Sequence, residues 1–324
     1  VAESGFRCTI AGQTRFLLLQ NRALPTRQTM SRKHPIIAVT GSSGAGTTAV
    51  RKTFENIFRL ERIEAALIEG DSFHRYDRDE MHRLIDAYEQ IGGQAISHFG
   101  PEANLFEELE ALFGEYSTRG GGNARIYLHN EERAARYGRK AGTFTPWEKL
   151  PENTDLLFYE GLHGGIVTDK VDVARHVDLL IGVTPTVNLE WIQKINRDMQ
   201  ARGYSIEVVT QTILRRMYDY VHFITPQFSR THVNFQRVPT VDTSNPFVVR
   251  EVPLPEESFV VIRLSDTERL NVPYLLAMIE DSFISRPDTI VVPGTKMEYA
   301  MQLILTPMIR DLVNDSRKAR EARS

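Results

Sequence analysis

The 324-residue chain is 41% hydrophobic and 25% charged, a globular composition, and its formal net charge of −3 offers no basic field that would mark a nucleic-acid or membrane partner. No apolar run approaches the roughly 20 residues of a membrane-spanning helix. The single cysteine, Cys8, excludes an internal disulfide and a cysteine-rich metal site and points to the cytoplasm.

Residues 1–32 read as a disordered extension, basic, poor in acids and without periodicity that continues downstream, with a targeting peptide as the alternative. Residues 33–324 read as one domain, because apolar strand-like runs then alternate with amphipathic stretches, the pattern of a mainly parallel sheet joined through crossover helices. "PIIAVT" is a buried first strand, "TTAVRKTFENIFRL" a helix and "IEAALIEGD" a second strand. Helices follow over about 77–90 and 101–116, then a glycine loop, a short strand "ARIYLHN" and a long exposed loop "GRKAGTFTPWEKL". "TDLLFYEGLHG" and "HVDLLIGVTP" are further buried strands. The helix "NLEWIQKINRDMQARG" over 188–203 is followed by a second, "SIEVVTQTILRRMYDYVHFI". "VNFQRVPTVD", "SFVVIRL" and "DTIVVPG" complete the strands before a terminal helix from Met297.

Between the first strand and the first helix, "GSSGAGTT" places Gly41, Ser42, Ser43, Gly44, Ala45, Gly46, Thr47 and Thr48 in a phosphate-loop pattern. In such a loop, backbone N–H groups at a helix N-terminus cradle phosphate and the final hydroxyl binds magnesium. Thr47 stands where the motif ordinarily has lysine, so positive charge must come from elsewhere. Parallel sheets hold ligands beyond the carboxyl ends of their strands, which selects Asp71 and Glu160. Glu160 after "LLFY" reads as a metal-binding carboxylate or as an ordinary strand-end acid. Asp71 reads as a base for a hydroxyl attacking the γ-phosphorus, or as a helix cap. His74, Arg75 and Arg78 beside it suit a phosphorylated substrate or form a solvated basic loop. On helix 188–203, Glu190, Lys194, Asp198 and Arg202 share one face. That spacing is also plain salt bridging, but a lid carrying Lys194 and Arg197 would supply the missing cation.

Together "HPIIAVTGSSGAGTT", "IEGDSFHRYDR", "LLFYEGLHGG", "NLEWIQKINRD", "VNFQRVPTVDTSNPF" and "MQLILTPMI" resemble the bacterial-type phosphoribulokinase family. The resemblance spans the chain from Met30 and includes the threonine in the loop. It implies the P-loop, nucleoside monophosphate kinase-like α/β fold, a mixed and mainly parallel sheet with helices on both faces. It further implies ATP- and Mg2+-dependent phosphorylation of ribulose 5-phosphate at its C1 hydroxyl, in the Calvin cycle. By resemblance Asp71 is the base; Thr48, Glu160 and Asp198 hold the metal; and Lys194 and Arg197 support phosphoryl transfer. His74, Arg78, Arg202, Tyr127 and His129 similarly bind the sugar phosphate. An octameric homo-oligomer responding to NADH and AMP is implied too, with Arg215, Arg216, Arg263 and Arg286 as effector or contact residues. Leu60 and His82 depart from the basic residues expected of relatives. A uridine- or pantothenate-kinase-like enzyme and a nucleotide-sensing regulator are the alternative functions.

Overall fold

Strands buried on both faces need apolar side chains at every position, and Ile36, Ile37, Ala38 and Val39 meet that need, each no more than 3% exposed. The computed structural model describes residues 33–41, 47–90, 96–248, 251–267 and 270–322. Residues 1–32, with their expected disorder, and Ser42, Ser43, Gly44, Ala45 and Gly46 of the glycine loop lie outside the described residues. So do the side chains of Thr47, Thr48 and Arg202.

In chain order, β1 (Ile36–Gly41), α1 (Thr47–Glu61), β2 (Ala65–Glu69), α2 (Arg78–Gln90) and α3 (Phe106–Arg119) build the first part of the fold. A short ladder of β3 (Asn123–Ala124) and β4 (Glu148–Lys149) then brackets α4 (Glu131–Ala135). The main sheet resumes with β5 (Leu156–Gly161) and β6 (Leu179–Pro185). Three helices follow: α5 (Val187–Arg202), α6 (Ile206–Asp219) and α7 (Thr225–Phe228). The remaining elements are β7 (Val233–Pro239), β8 (Ser258–Leu264), α8 (Val272–Met278), β9 (Phe283–Arg286), β10 (Thr289–Pro293) and α9 (Met297–Glu321).

The eight-stranded sheet runs β2-β5-β1-β6-β7-β8-β10-β9. The first five strands are parallel and the last three are added antiparallel. Alternation along each strand divides the core between two faces. Ile37, Val39, Phe158, Ile181 and Phe235 pack with Phe54 and Phe58 of α1 and Ile304 of α9. Ile36, Ala38, Leu157, Tyr159 and Leu180 pack with Leu109, Phe113 and Tyr116 of α3.

Several expected elements differ. "ARIYLHN" contributes only the end of β3 and an isolated Tyr127–Phe144 bridge, so Tyr127 lies on an arm rather than a regular strand. The loop expected as exposed is anchored to that arm: Leu128 N–H donates to Thr143 O and Gly142 N–H to Leu128 O, and Ala141 and Thr145 are buried. The helix expected over 101–116 starts as a short 3-10 turn and continues as α3. The long helix expected after Ser205 ends at Asp219 and passes through a π-helical turn, Tyr220–Ile224, into α7. The exposed edge strand β9 and the short α8 lack a clean apolar period and were outside the expectation.

Candidate active site

The carboxyl ends of β2 and β5 lie side by side, with Glu69 in register with Glu160. The path of the chain beyond β2 depends on two glycines. A Cβ at Gly70 would lie 2.5 Å from the Tyr159 hydroxyl oxygen and 2.8 Å from Gly161 Cα, and one at Gly161 would lie 2.7 Å from Gly70 Cα. Only glycines permit this approach, which brings the 3-10 turn Gly70–Phe73 and its Asp71 against the end of β5.

Asp71 sits between two imidazoles. Its Oδ1 is 3.5 Å from His74 Nε2, and its Oδ2 is 3.5 Å from His129 Nε2. The carboxylate remains 39% exposed, so it is held from within yet open to a ligand. His74 is buried, and desolvation holds its pKa below the usual histidine range against the pull of Asp71. The sequence suggested a cation here; burial opposes the charged form of His74, while the Asp71 carboxylate favours it. Tyr127 meets the rings of both His74 and His129 edge-on, at 6.0 and 4.8 Å. Arg78 donates to His129 O at 2.8 Å, so Asp71, His74, Arg78, Tyr127 and His129 form one group. Arg75 turns away and donates to the carbonyls of Glu102 and Asn104.

Glu160 lies half-buried at the same end of the sheet. Burial pushes its carboxyl up to about 7, with Glu69, Asp71 and Glu55 adding to the rise and Arg51 opposing it. A divalent cation would relieve that accumulation of negative charge, so the donor chemistry fits Mg2+. Among the described residues no three His, Cys, Asp or Glu side chains converge into a metal cage. Magnesium does not require one, since it is commonly held by one or two carboxylates plus substrate phosphates.

Lys194, Arg197 and Asp198 form a second group on α5. Lys194 Nζ lies 2.5 Å and Arg197 Nε 3.3 Å from the Asp198 carboxylate, which is almost fully buried. Burial lowers the Lys194 pKa and the contact with Asp198 counteracts it. The i,i+4 ion pairing weighed against a functional reading is therefore formed, but in a buried setting rather than on a solvated face. Gly203, at φ +70°, stops the helix directly after Arg202.

Several contributors carried no motif. Arg125 donates to Ser72 O at 2.9 Å and to His74 O at 2.5 Å, bracing the Asp71 turn from outside. Its guanidinium lies 3.7 Å from the Phe144 ring centroid and 4.9 Å from that of Trp147. Arg133 holds the Glu69 carboxylate with both terminal nitrogens, at 2.8 and 3.2 Å, and Arg51 adds a third contact at 3.1 Å. These groups line a cavity of about 150 Å³ that reaches Glu160. His98 stacks on His74 at 4.2 Å, and burial takes its pKa well below the usual range. Glu69 was legible as one more strand-end acid. The others act through contacts distant in sequence, from 18 residues for Arg51 and Glu69 to 64 for Arg133 and Glu69.

The sequence pattern of the "Phosphoribulokinase / Uridine kinase family" matches residues 36–244. The chromosomal phosphoribulokinase of Cupriavidus necator is 62% identical over 290 residues, spanning 90% of this chain and 99% of that protein. The phosphoribulokinase of Nitrobacter vulgaris is 58% identical over 290 residues, spanning 90% of this chain and all of the relative. The solved phosphoribulokinase of Rhodobacter sphaeroides superposes with a TM-score of 0.81 at 50% identity, covering 88% of this chain and 99% of that one.

Proposed function

The chain belongs to the phosphoribulokinase/uridine kinase family, and from that premise we propose that it transfers the γ-phosphoryl group of ATP to the C1 hydroxyl of D-ribulose 5-phosphate. The products are ribulose 1,5-bisphosphate and ADP, the step that supplies the carbon acceptor of the Calvin cycle. The observation that best supports this reading is the Asp71 carboxylate, held at 3.5 Å by each of two histidines yet partly open, in a chain that aligns with phosphoribulokinases over 290 residues.

Phosphoryl transfer needs an oriented nucleophile, charge neutralisation and a proton acceptor. Asp71 takes the C1 hydroxyl proton as that oxygen bonds to the γ-phosphorus and the bond to the β–γ bridging oxygen breaks. His74 and His129 hold the Asp71 carboxylate in place. With Tyr127, Arg78 and Arg202 they orient the sugar phosphate. Residues Gly41 to Thr48 cradle the nucleotide phosphates. Thr48, Glu160 and Asp198 would hold Mg2+, whose contribution when bound is to neutralise phosphate charge. Lys194 and Arg197 ride on α5 as a lid. Asp198 now holds both cations, so phosphates entering beneath α5 would draw Lys194 and Arg197 away and free the carboxylate.

We extend the proposal to a cytoplasmic homo-oligomer in which residues 33–324 act as one kinase domain, with NADH and AMP as effectors. The grouping of contacts over residues 31–324 into one unit supports the domain assignment. The exposure of Arg286 on β9 supports an effector or subunit-contact role for it. Arg263 instead donates to Phe228 O and Thr231 Oγ1 and serves as an internal strut. The decisive assay offers purified protein ATP, Mg2+ and ribulose 5-phosphate, with uridine and pantothenate in parallel. ADP release should require the sugar phosphate; release only with uridine or pantothenate, or none above background, overturns the reading.

A further inference from the structure

Gln227 is fully buried in α7, directly after the π-helical turn Tyr220–Ile224. Its side chain uses its whole hydrogen-bonding capacity. Oε1 accepts from Gly165 N–H at 2.9 Å and from the Thr40 hydroxyl at 3.1 Å. Nε2 donates to Leu162 O at 2.8 Å and to Phe223 O at 2.7 Å. The amide orientation is fixed by its partners, because an N–H can only donate and two backbone carbonyls can only accept.

Three of those partners lie where strands β1 and β5 end at the site. Thr40 immediately precedes Gly41 and the phosphate loop, while Leu162 and Gly165 lie in the loop that follows Glu160 and Gly161. One side chain thus fastens the last turn of β1 to the first turn after β5. The Thr40 hydroxyl has a single proton, shared between Gln227 Oε1 and Leu162 O, each 3.1 Å away. The same helical arm reaches two other parts of the site. Tyr220 donates to Glu190 of α5 at 2.9 Å in a buried contact, and Asp219 accepts from Ser97 at 2.5 Å, one residue before His98. A π turn alters the helical phase, and such turns recur where a fold must aim a side chain at a functional site.

We propose that Gln227 is a positioning residue that sets the end of β1, from which the chain enters the glycine-rich stretch, relative to the Glu160 loop and ties both, through its π turn, to the arm bearing on α5. This rests on the kinase reading above. Thr40→Val removes one arm of the junction, while Gln227→Met keeps its bulk and removes all four hydrogen bonds.

The test measures MgADP binding by calorimetry without sugar phosphate, both KM values, kcat and Tm. Loss of a fully used buried amide should weaken MgADP binding and raise the KM for ATP by about tenfold or more, with the KM for ribulose 5-phosphate moving less than about twofold. Thr40→Val should move the same two quantities in the same direction by a smaller factor. A lowered Tm with unchanged MgADP binding, or both KM values rising together, assigns Gln227 a structural role and overturns the proposal. If Gln227→Met does not fold, Thr40→Val decides alone, and unchanged MgADP binding by that variant overturns it. Wild-type protein that binds no MgADP overturns the kinase reading instead, so the two failures are distinguishable.

Discussion

Arg125→Met tests whether the Asp71 turn is held from outside. Methionine keeps most of the apolar stem but removes both donors to the carbonyls of Ser72 and His74 and the cation over Phe144 and Trp147. A hydrogen bond from a charged donor contributes roughly 1.5 kcal/mol at the low end, and the lower figure applies because Arg125 is only half-buried. Two such bonds give about 3 kcal/mol, and the ring contacts add about 0.5 to 1 kcal/mol. Methionine packing against the same rings returns about 1 kcal/mol, leaving a net loss near 2 to 3 kcal/mol. At roughly 2 to 4 °C per kcal/mol, the Tm should fall by about 4 to 12 °C. Because the brace acts on the turn bearing Asp71 and His74, kcat should fall by about tenfold or more while the KM for ATP holds. Scanning calorimetry and a coupled ADP-release assay give both numbers. A Tm within about 2 °C of wild type together with an unchanged kcat would refute the brace, since the expected net loss is larger than that shift.

Asp71→Asn is nearly isosteric but cannot take the proton, so kcat should drop about 10²- to 10⁴-fold with little change in KM; a purely raised KM would assign Asp71 to binding instead. Lys194→Met should lower kcat, and adding Thr47→Lys should not restore it if the cation must arrive on α5; recovery in the double variant would place the required charge in the loop itself. Glu160 has a folded-state pKa of about 7, above its ordinary value of 4.5, so the folded protein binds the extra proton. Its contribution to stability is therefore complete below about pH 4.5 and is lost as pH rises through about 7. Metal-free protein should lose Tm between pH 5 and 8 more steeply than Glu160→Gln, and parallel Tm curves would show that burial does not perturb this carboxyl.

Local regularities carried the parts of this protein that could be read directly. β1, β5 and β6 announce themselves because strands covered on both faces must be apolar at every position, as Ile36–Val39 and Leu156–Tyr159 are. Asp71 and Glu160 stand out because parallel strands release their chains at one edge of the sheet, so acids at or just beyond the end of such a strand fall on the side where ligands bind. Thr47 in the glycine loop likewise signalled that a cation had to come from elsewhere. The tertiary structure alone decided which side chains meet. Gln227 reaches Thr40 across 187 residues, Arg133 reaches Glu69 across 64 and Arg125 reaches Ser72 across 53, and no periodicity encodes such separations. Burial, too, emerges only when the elements pack: it lowers the His74 pKa, raises that of Glu160 and encloses the Lys194–Asp198 pair, because desolvation depends on neighbours from distant parts of the chain.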